Sequence, residues 1–270
     1  MTVKGIASTL GYSRQYLYKM LKQELILIDR RKAIKQLVDT QRKQLPRLGG
    51  KKTYHIIKPF IDQAELKVGR DKLFSILRFY DMLIKPRRRY IQTTMSKHWL
   101  RKYPNIVKGL IIHRPEQVWV SDITYIKTDE GNCYLNMVTD AYSRKIMGYS
   151  IADSMDTESM IKAFEMGLKN RKYPDSKLIH HSDRGLQYCS KEYVALSNSN
   201  GVSISMTEQS DPYENALAER MNRTLKEEFG LGQKIITRQV AKELTEQAIQ
   251  LYNNVRPHLS LKMKTPEMVH

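Results

Sequence analysis

Three acidic residues stand where strands and a helix are expected to bring them together. "VWVSDITYI" alternates polar and apolar residues around Asp122, and the apolar run "KLIHHSD" ends at Asp183. Glu219 lies in a helical pattern at 213–229, seven residues before Lys226. Three carboxylates at one point would repel each other and take up protons unless a cation neutralised them. The pattern therefore indicates a metal site built from oxygen ligands.

The ligand types favour a hard divalent cation. Carboxylates without a histidine or cysteine cluster suit Mg²⁺ or Mn²⁺, and two such ions, roughly 3.5–4 Å apart, catalyse in-line phosphoryl displacement. We expect Lys226 to contact the scissile phosphate or a neighbouring one. Each acid also has a purely local alternative. Asp122 could bond nearby backbone groups, and Asp183 could cap the following turn. Glu219 could pair with Arg223, four residues on.

The surrounding elements predict an α/β fold of the ribonuclease-H-like class. From residue 117 the hydrophobic period changes from helical to strand-like, and the order reads three strands, helix, strand, helix, strand, helix. A meander followed by helical crossovers implies a mixed five-stranded sheet with flanking helices. In that topology the strands carrying Asp122 and Asp183 are neighbours. On the last helix one polar face is formed at i, i+4 and i+7 by Asn215, Glu219, Asn222 and Lys226.

The basic residues are concentrated in the first part of the chain. Residues 1–112 contain 26 Lys and Arg against 7 Asp and Glu, whereas residues 113–270 contain 20 against 21. This split indicates a module that binds a polyanion, joined to a near-neutral globular part, although a solubility role is the alternative. We predict four parts: a basic helical DNA-binding region (1–84), a linker (85–112), a catalytic core (113–232), and a C-terminal helix and tail (233–270).

Several residues of the basic part are candidates for contact with double-stranded DNA. "IASTLGYSRQYLYKML" predicts a helix-turn-helix capped by Ser13, with an ordinary helical hairpin as the alternative. Its second helix would present Arg14, Gln15 and Lys19, and a later helix would present Arg70. The linker "KPRRRY" adds further phosphate contacts, unless it is merely a solvated connection. The DNA contacts predicted along the whole chain are Arg14, Gln15, Lys19, Arg70, Arg87, Arg88, Arg89, Asn215, Arg223, Lys226 and Arg256.

Three histidines allow a zinc or general-base interpretation. A metal-bound nucleophile needs no protein base, so we predict for His181, which shares a strand face with Asp183, either a supporting role behind the ligands or packing. "YNNVRPH" has no role that its residues alone define, because Arg256 and His258 could either touch DNA or fix the C-terminal tail.

Nothing in the sequence indicates a membrane or secreted protein. No apolar run approaches the ~20 residues that a membrane helix needs, and the first residues do not form a signal peptide. The chain has two isolated cysteines, Cys133 and Cys189. They fit buried, reduced thiols, so we expect a soluble cytoplasmic protein.

The motifs together resemble those of a known family. Thirty-five residues separate Asp183 from Glu219, as in the "D,35,E" spacing of retroviral integrases and related transposases. "VWVSDITYI", "HSDRGLQY", "ENALAERMNRTLKEE" and "YNNVRPHLSLKMKTPE" resemble the OrfB-type integrase-core proteins of the insertion-sequence family called IS-three. Departures such as Ser121, Arg184 and Leu186 remove no ligand.

The resemblance implies a DDE transposase. Asp122, Asp183 and Glu219 would hold Mg²⁺ or Mn²⁺, and Lys226 matches the family's basic residue. The reaction would be cleavage of element ends followed by 3′-hydroxyl strand transfer, by a homo-oligomer that pairs two ends. Family members commonly act with an upstream OrfA product or as a frameshift fusion with it, and no leucine heptad is visible here. The alternatives are a nuclease of the same fold, such as a resolvase, and a non-catalytic helix-turn-helix protein.

Overall fold

The computed structural model describes residues 3–84, 102–208 and 216–270. The chain divides into two compact units, Met1–Lys85 and Pro86–His270. Four of the predicted DNA contacts lie outside the described residues, namely Arg87, Arg88, Arg89 and Asn215.

The first unit is helical, as predicted. Ser13 caps the second helix by accepting a hydrogen bond from the Tyr16 backbone N–H at 3.1 Å. This helix continues unbroken to Gln44, because no proline or glycine interrupts it. Buried apolar residues of the last three helices form the core of this unit. The helices are α1 (Val3–Thr9), α2 (Arg14–Gln44), α3 (Gly50–Gln63) and α4 (Arg70–Phe79).

The second unit is built on a five-stranded mixed sheet in the order β3-β2-β1-β4-β5. The strands are β1 (Val118–Thr128), β2 (Gly131–Asp140), β3 (Ile146–Ala152), β4 (Leu178–Ser182) and β5 (Val202–Met206). The β1–β2 and β2–β3 pairs are antiparallel, whereas β1–β4 and β4–β5 are parallel. This meander with two parallel additions has the strand order of the ribonuclease-H-like fold, so that prediction is confirmed.

Helices cover both faces of the sheet. Their ranges are α5 (Thr157–Lys169), α6 (Lys191–Ser199), α7 (Ala216–Glu228), α8 (Arg238–Asn254) and α9 (Pro266–Val269). Trp119 packs with Phe164 of α5 and Tyr193 of α6 on one face. Val118 and Val120 pack with Ala218 of α7 on the other face. The predicted alternation along β1 therefore holds, and it places even-numbered positions of this strand toward α7.

The segment before the sheet packs against it. The backbone N–H of Ile106 donates to Ser205 Oγ at 3.1 Å, and Pro104 accepts a hydrogen bond from Met206 at 3.3 Å. Val107 and Ile112 contact the apolar cluster beneath α7. In the described ranges, no helix combines the length and the apolar character that crossing a bilayer requires.

Candidate active site

Strand pairing brings the two aspartates level with each other. Val120 of β1 is paired with His181 of the parallel strand β4. Asp122 and Asp183 each lie two residues further along, so they occupy neighbouring positions of strands that are about 4.8 Å apart. The predicted adjacency of the first and fourth strands is thus confirmed. Asp183 directly follows the last residue of β4, where the chain leaves the sheet.

Both aspartates accept local backbone hydrogen bonds. Asp122 Oδ1 accepts from the Ile123 N–H at 2.9 Å, and Asp183 Oδ1 accepts from the Gly185 N–H at 2.9 Å. The second contact closes a tight turn after β4. Each carboxylate therefore does make the local bond considered as its alternative role. A single such bond occupies a small part of a carboxylate's accepting capacity, so the remaining lone pairs can still bind a cation.

Helix α7 packs against β1 next to Asp122. Glu219 is in its first turn, with an exposed side chain. Asn222, one turn later, is 6% exposed and donates from Nδ2 to Asp122 Oδ2 at 2.7 Å. Lys226 follows one turn further on, and its Nζ lies 4.4 Å from the centroid of the Tyr125 ring. The predicted polar face of the helix is thus directed at Asp122 and β1.

The three carboxylates influence one another electrostatically. The pKa of Asp122 is raised to about 7, mainly by burial and also by the nearby charges of Asp183 and Glu219, while the hydrogen bond from Asn222 opposes the shift. The pKa of Glu219 is also raised, first by desolvation and then by Asp183. Burial lowers the pKa of Lys226, although Asp122 partly opposes that shift. Neighbouring carboxylates raise one another's pKa in this way when they are partly desolvated and no positive charge compensates them.

The donor set fits a hard divalent cation. The oxygens of all three acids are hard ligands, and the buried Oδ1 of Asn222 has no hydrogen-bond partner among the described residues. Across the same residues, no three His, Cys, Asp or Glu side chains already form a metal-binding group. The chemistry of the donors, together with the orphaned amide oxygen, therefore supports a cation site, and the side chains must come closer together to form it.

The histidines have packing and hydrogen-bonding roles. His181 is buried, with its Nδ1 2.9 Å from Ser205 Oγ on β5. His180 lies on the opposite face, where it bonds Ser121 and, at 2.7 Å, the Tyr193 hydroxyl. Burial lowers the pKa of His180 to about 3, so this ring is neutral.

The other predicted DNA contacts differ in accessibility. Arg14, Gln15, Lys19 and Arg70 are exposed on the first unit. Arg223 is exposed on α7, and its Nε donates to Glu227 at 2.9 Å. Arg223 thus forms with Glu227 the kind of i, i+4 ion pair that was considered for Glu219.

Arg256 lies in a buried ion pair. Its side chain is only 5% exposed and binds both carboxylate oxygens of Glu228, at 2.8 and 2.6 Å. Of the two roles left open for this arginine, the pair favours a structural one over contact with DNA. Periodicity does not reveal the partner, because it is an acid 28 residues earlier in the chain.

Sequence analysis missed two residues that touch the site. The sequence pattern placed Asn222 on the polar face of the helix but gave it no role. Its position on that face is the signal that could have indicated a contact with Asp122. Tyr125, whose ring lies beneath Lys226, follows Asp122 by three residues and carried no signal in the strand pattern.

Comparison with known proteins identifies the family. Two models of the integrase core domain match residues 112–212 and 200–266. The 31 kDa protein of insertion element IS600 from Shigella sonnei is 35% identical over 201 residues, covering 74% of each chain. The transposase of IS904 from Lactococcus lactis is 32% identical over 63% of this chain and 70% of that protein. Transposase InsF of IS3A from Escherichia coli is 33% identical, covering 67% and 64%, respectively.

Solved structures include integrases of similar architecture. The HTLV-2 integrase catalytic core in complex with magnesium aligns with a TM-score of 0.47 and 18% identity, over 58% of this chain and 97% of that chain. A chain from the structure of a simian T-cell lymphotropic virus intasome in complex with PP2A regulatory subunit B56 gamma aligns with a TM-score of 0.49 and 18% identity, over 77% of this chain and 70% of that chain. The sequence matches to insertion-sequence proteins decide the assignment: this chain belongs to the IS3 family of insertion-sequence transposases.

Proposed function

We propose that the chain cleaves the DNA ends of its insertion sequence and joins the resulting 3′-hydroxyls to target DNA, with Asp122, Asp183 and Glu219 as the catalytic acids. The observation that carries the proposal is the pairing of β1 with β4, which sets Asp122 and Asp183 level on neighbouring strands, together with the hydrogen bond from Asn222 of α7 to Asp122. Family membership supports transposition over simple hydrolysis by a nuclease of this fold.

The three acids are proposed to hold Mg²⁺ or Mn²⁺, in a pair. When bound, such ions activate the attacking oxygen and stabilise the leaving oxygen of a phosphoryl transfer. Asn222 holds Asp122 in place through its amide N–H and offers its buried Oδ1 toward the same site. Lys226 supplies a positive charge for the phosphate, and its contact with Tyr125 fixes the direction of the ammonium group.

The proposed substrate is double-stranded DNA. The exposed groups of the first unit, Arg14, Gln15, Lys19 and Arg70, are proposed to hold element ends through phosphate contacts, and Arg223 and Lys226 to hold the strand near the acids. We further propose a homo-oligomer, because two element ends must meet at one target. An OrfA-type partner or fusion is a prediction from the family resemblance.

The acids are tested by Glu219→Gln and Asp122→Asn, with Glu227→Gln as the matched control on the same helix. A labelled duplex carrying an element end is incubated with Mg²⁺, and nicked and joined products are separated on a denaturing gel. Both site variants should lose at least a thousandfold in rate, because a ligand charge is removed, while retaining DNA affinity. The control should retain its rate.

Other outcomes would contradict the proposal. If Glu219→Gln cleaved normally, Glu219 would not be a catalytic acid. If the unmodified chain nicked the duplex but never joined a 3′-hydroxyl to target DNA, a nuclease function would be favoured. If every activity proved insensitive to Asp122→Asn, a non-catalytic DNA-binding role would remain.

A further inference from the structure

The segment after α8 forms a buried clamp on the end of α7. Arg256 binds Glu228, the last residue of α7, with two parallel hydrogen bonds of 2.8 and 2.6 Å. Its remaining terminal nitrogen lies 2.8 Å from His258 Nε2. An arginine fork on a carboxylate fixes both distance and orientation, which a single point charge does not.

The clamp is itself anchored to the sheet. Asn253 donates to the carbonyl of Ile146 in β3 and accepts from its N–H, both at 3.0 Å. Tyr252 donates its hydroxyl hydrogen to the Arg144 carbonyl at 3.0 Å, and its ring lies edge-on to His258, with ring centroids 5.0 Å apart. Arg256 therefore extends from a frame whose position is fixed by backbone groups at the start of β3.

The helix held by this clamp carries the groups that face Asp122. Its apolar stripe, Ala218, Met221 and Leu225, packs on the sheet and its neighbours. Apolar packing is not directional, so it restrains sliding and rotation of a helix less than a bidentate ion pair does. Glu228 is nine residues beyond Glu219, about 13.5 Å along the axis. A small rotation at the clamp is thus transmitted along a stiff helix to the site.

We propose that Arg256 is a positioning residue: through Glu228 it sets the placement of α7, and hence of Glu219 and Lys226 relative to Asp122. The inference rests on the proposed function of these acids. It assigns the arginine of "YNNVRPH" to the geometry of the active site and not to contact with DNA.

The proposal is tested with two variants. Arg256→Lys keeps the positive charge but cannot form the two parallel hydrogen bonds, and Glu228→Gln removes the negative charge of the partner. Mn²⁺ affinity is measured on the full chain by the electron paramagnetic resonance signal of free Mn²⁺, at a temperature where circular dichroism shows every variant folded. Both variants should bind Mn²⁺ about tenfold more weakly, because mutating a residue that orients metal ligands typically lowers metal affinity by about this factor or more. DNA affinity should be unchanged.

Arg171→Lys is the matched control. Arg171 and Glu116 form another buried pair, 2.8 Å long, with side chains 6% and 0% exposed. Glu116 precedes Asp122 by six residues, about 20 Å along an extended chain. The control variant should lose stability while its Mn²⁺ affinity stays at the wild-type value.

Hydrogen exchange provides a readout independent of metal. Arg256→Lys should speed amide exchange in residues 216–222 and leave residues 118–128 unchanged. Wild-type Mn²⁺ affinity in this variant would overturn the inference and make the pair a stability element alone. Reduced DNA affinity with unchanged Mn²⁺ affinity would overturn it in favour of a DNA contact. A wild-type chain that binds no Mn²⁺ would refute the proposed function itself, and the inference with it.

Discussion

The lysine of the site depends on an aromatic ring. Lys226 lies over Tyr125, with its Nζ 4.4 Å from the ring centroid, and burial lowers its pKa. An ammonium above a ring face gains roughly 0.5–2 kcal/mol, depending on how far it is desolvated. Because the lysine stem has four rotatable carbons, this contact restricts the directions in which the charge can point. The ring is therefore expected to act on catalysis through the lysine.

Tyr125→Leu should lower the rate of end cleavage at saturating DNA several-fold, while Tyr125→Phe should retain it. Loss of the ring face removes the attraction, and removal of the hydroxyl alone does not. Single-turnover cleavage over a range of DNA concentrations separates the rate from the affinity. Equal losses in Leu and Phe variants would assign the effect to the phenolic hydroxyl and contradict the cation–π explanation.

At the scale of elements, the position of α5 depends on a missing side chain. A Cβ added to Gly148 of β3 would lie 2.1 Å from the Ala163 carbonyl oxygen and 2.5 Å from the Gly167 nitrogen. Both neighbours are backbone atoms of α5, so no rotamer change relieves the overlap. The close approach of this helix to the sheet therefore requires glycine at position 148.

Gly148→Ala should lower the free energy of unfolding by about 1–3 kcal/mol or more, because α5 must shift away from the sheet. Ser150→Ala, a half-buried position on the same strand, is the control and should change stability by less than about 1 kcal/mol. Urea unfolding followed by circular dichroism measures both. A Gly148→Ala variant as stable as the control would show that the helix can move without cost.

The elements also show what the sequence could and could not predict. Strand order, the adjacency of Asp122 and Asp183, and the cap at Ser13 follow from local patterns, and the structure contains them. The pair between Arg256 and Glu228 could not be predicted, because an ion pair between distant segments leaves no periodic signal. Long-range polar contacts of this kind required the folded chain.

At the scale of the whole molecule, charge and catalysis are divided along the chain. The first 112 residues have a net charge of +19, and the remaining residues have a net charge of −1. The proposed capture of DNA needs many phosphate contacts, which the basic residues of the first part can supply. Separating the two tasks lets most of the binding energy come from residues that do no chemistry.

This division predicts how salt affects DNA binding. Changing Arg14, Lys19 and Arg70 to glutamine should reduce the slope of log affinity against log salt by roughly 2–3, since each phosphate contact contributes about 0.9. The cleavage rate at saturating DNA should be unchanged.

A triple glutamine variant of Lys162, Lys169 and Lys191, all exposed on the second unit, is a control with the same change in net charge. Fluorescence anisotropy between 50 and 300 mM salt measures both slopes. Equal effects of the two triple variants would mean that net charge, and not its location in the first unit, governs capture of DNA.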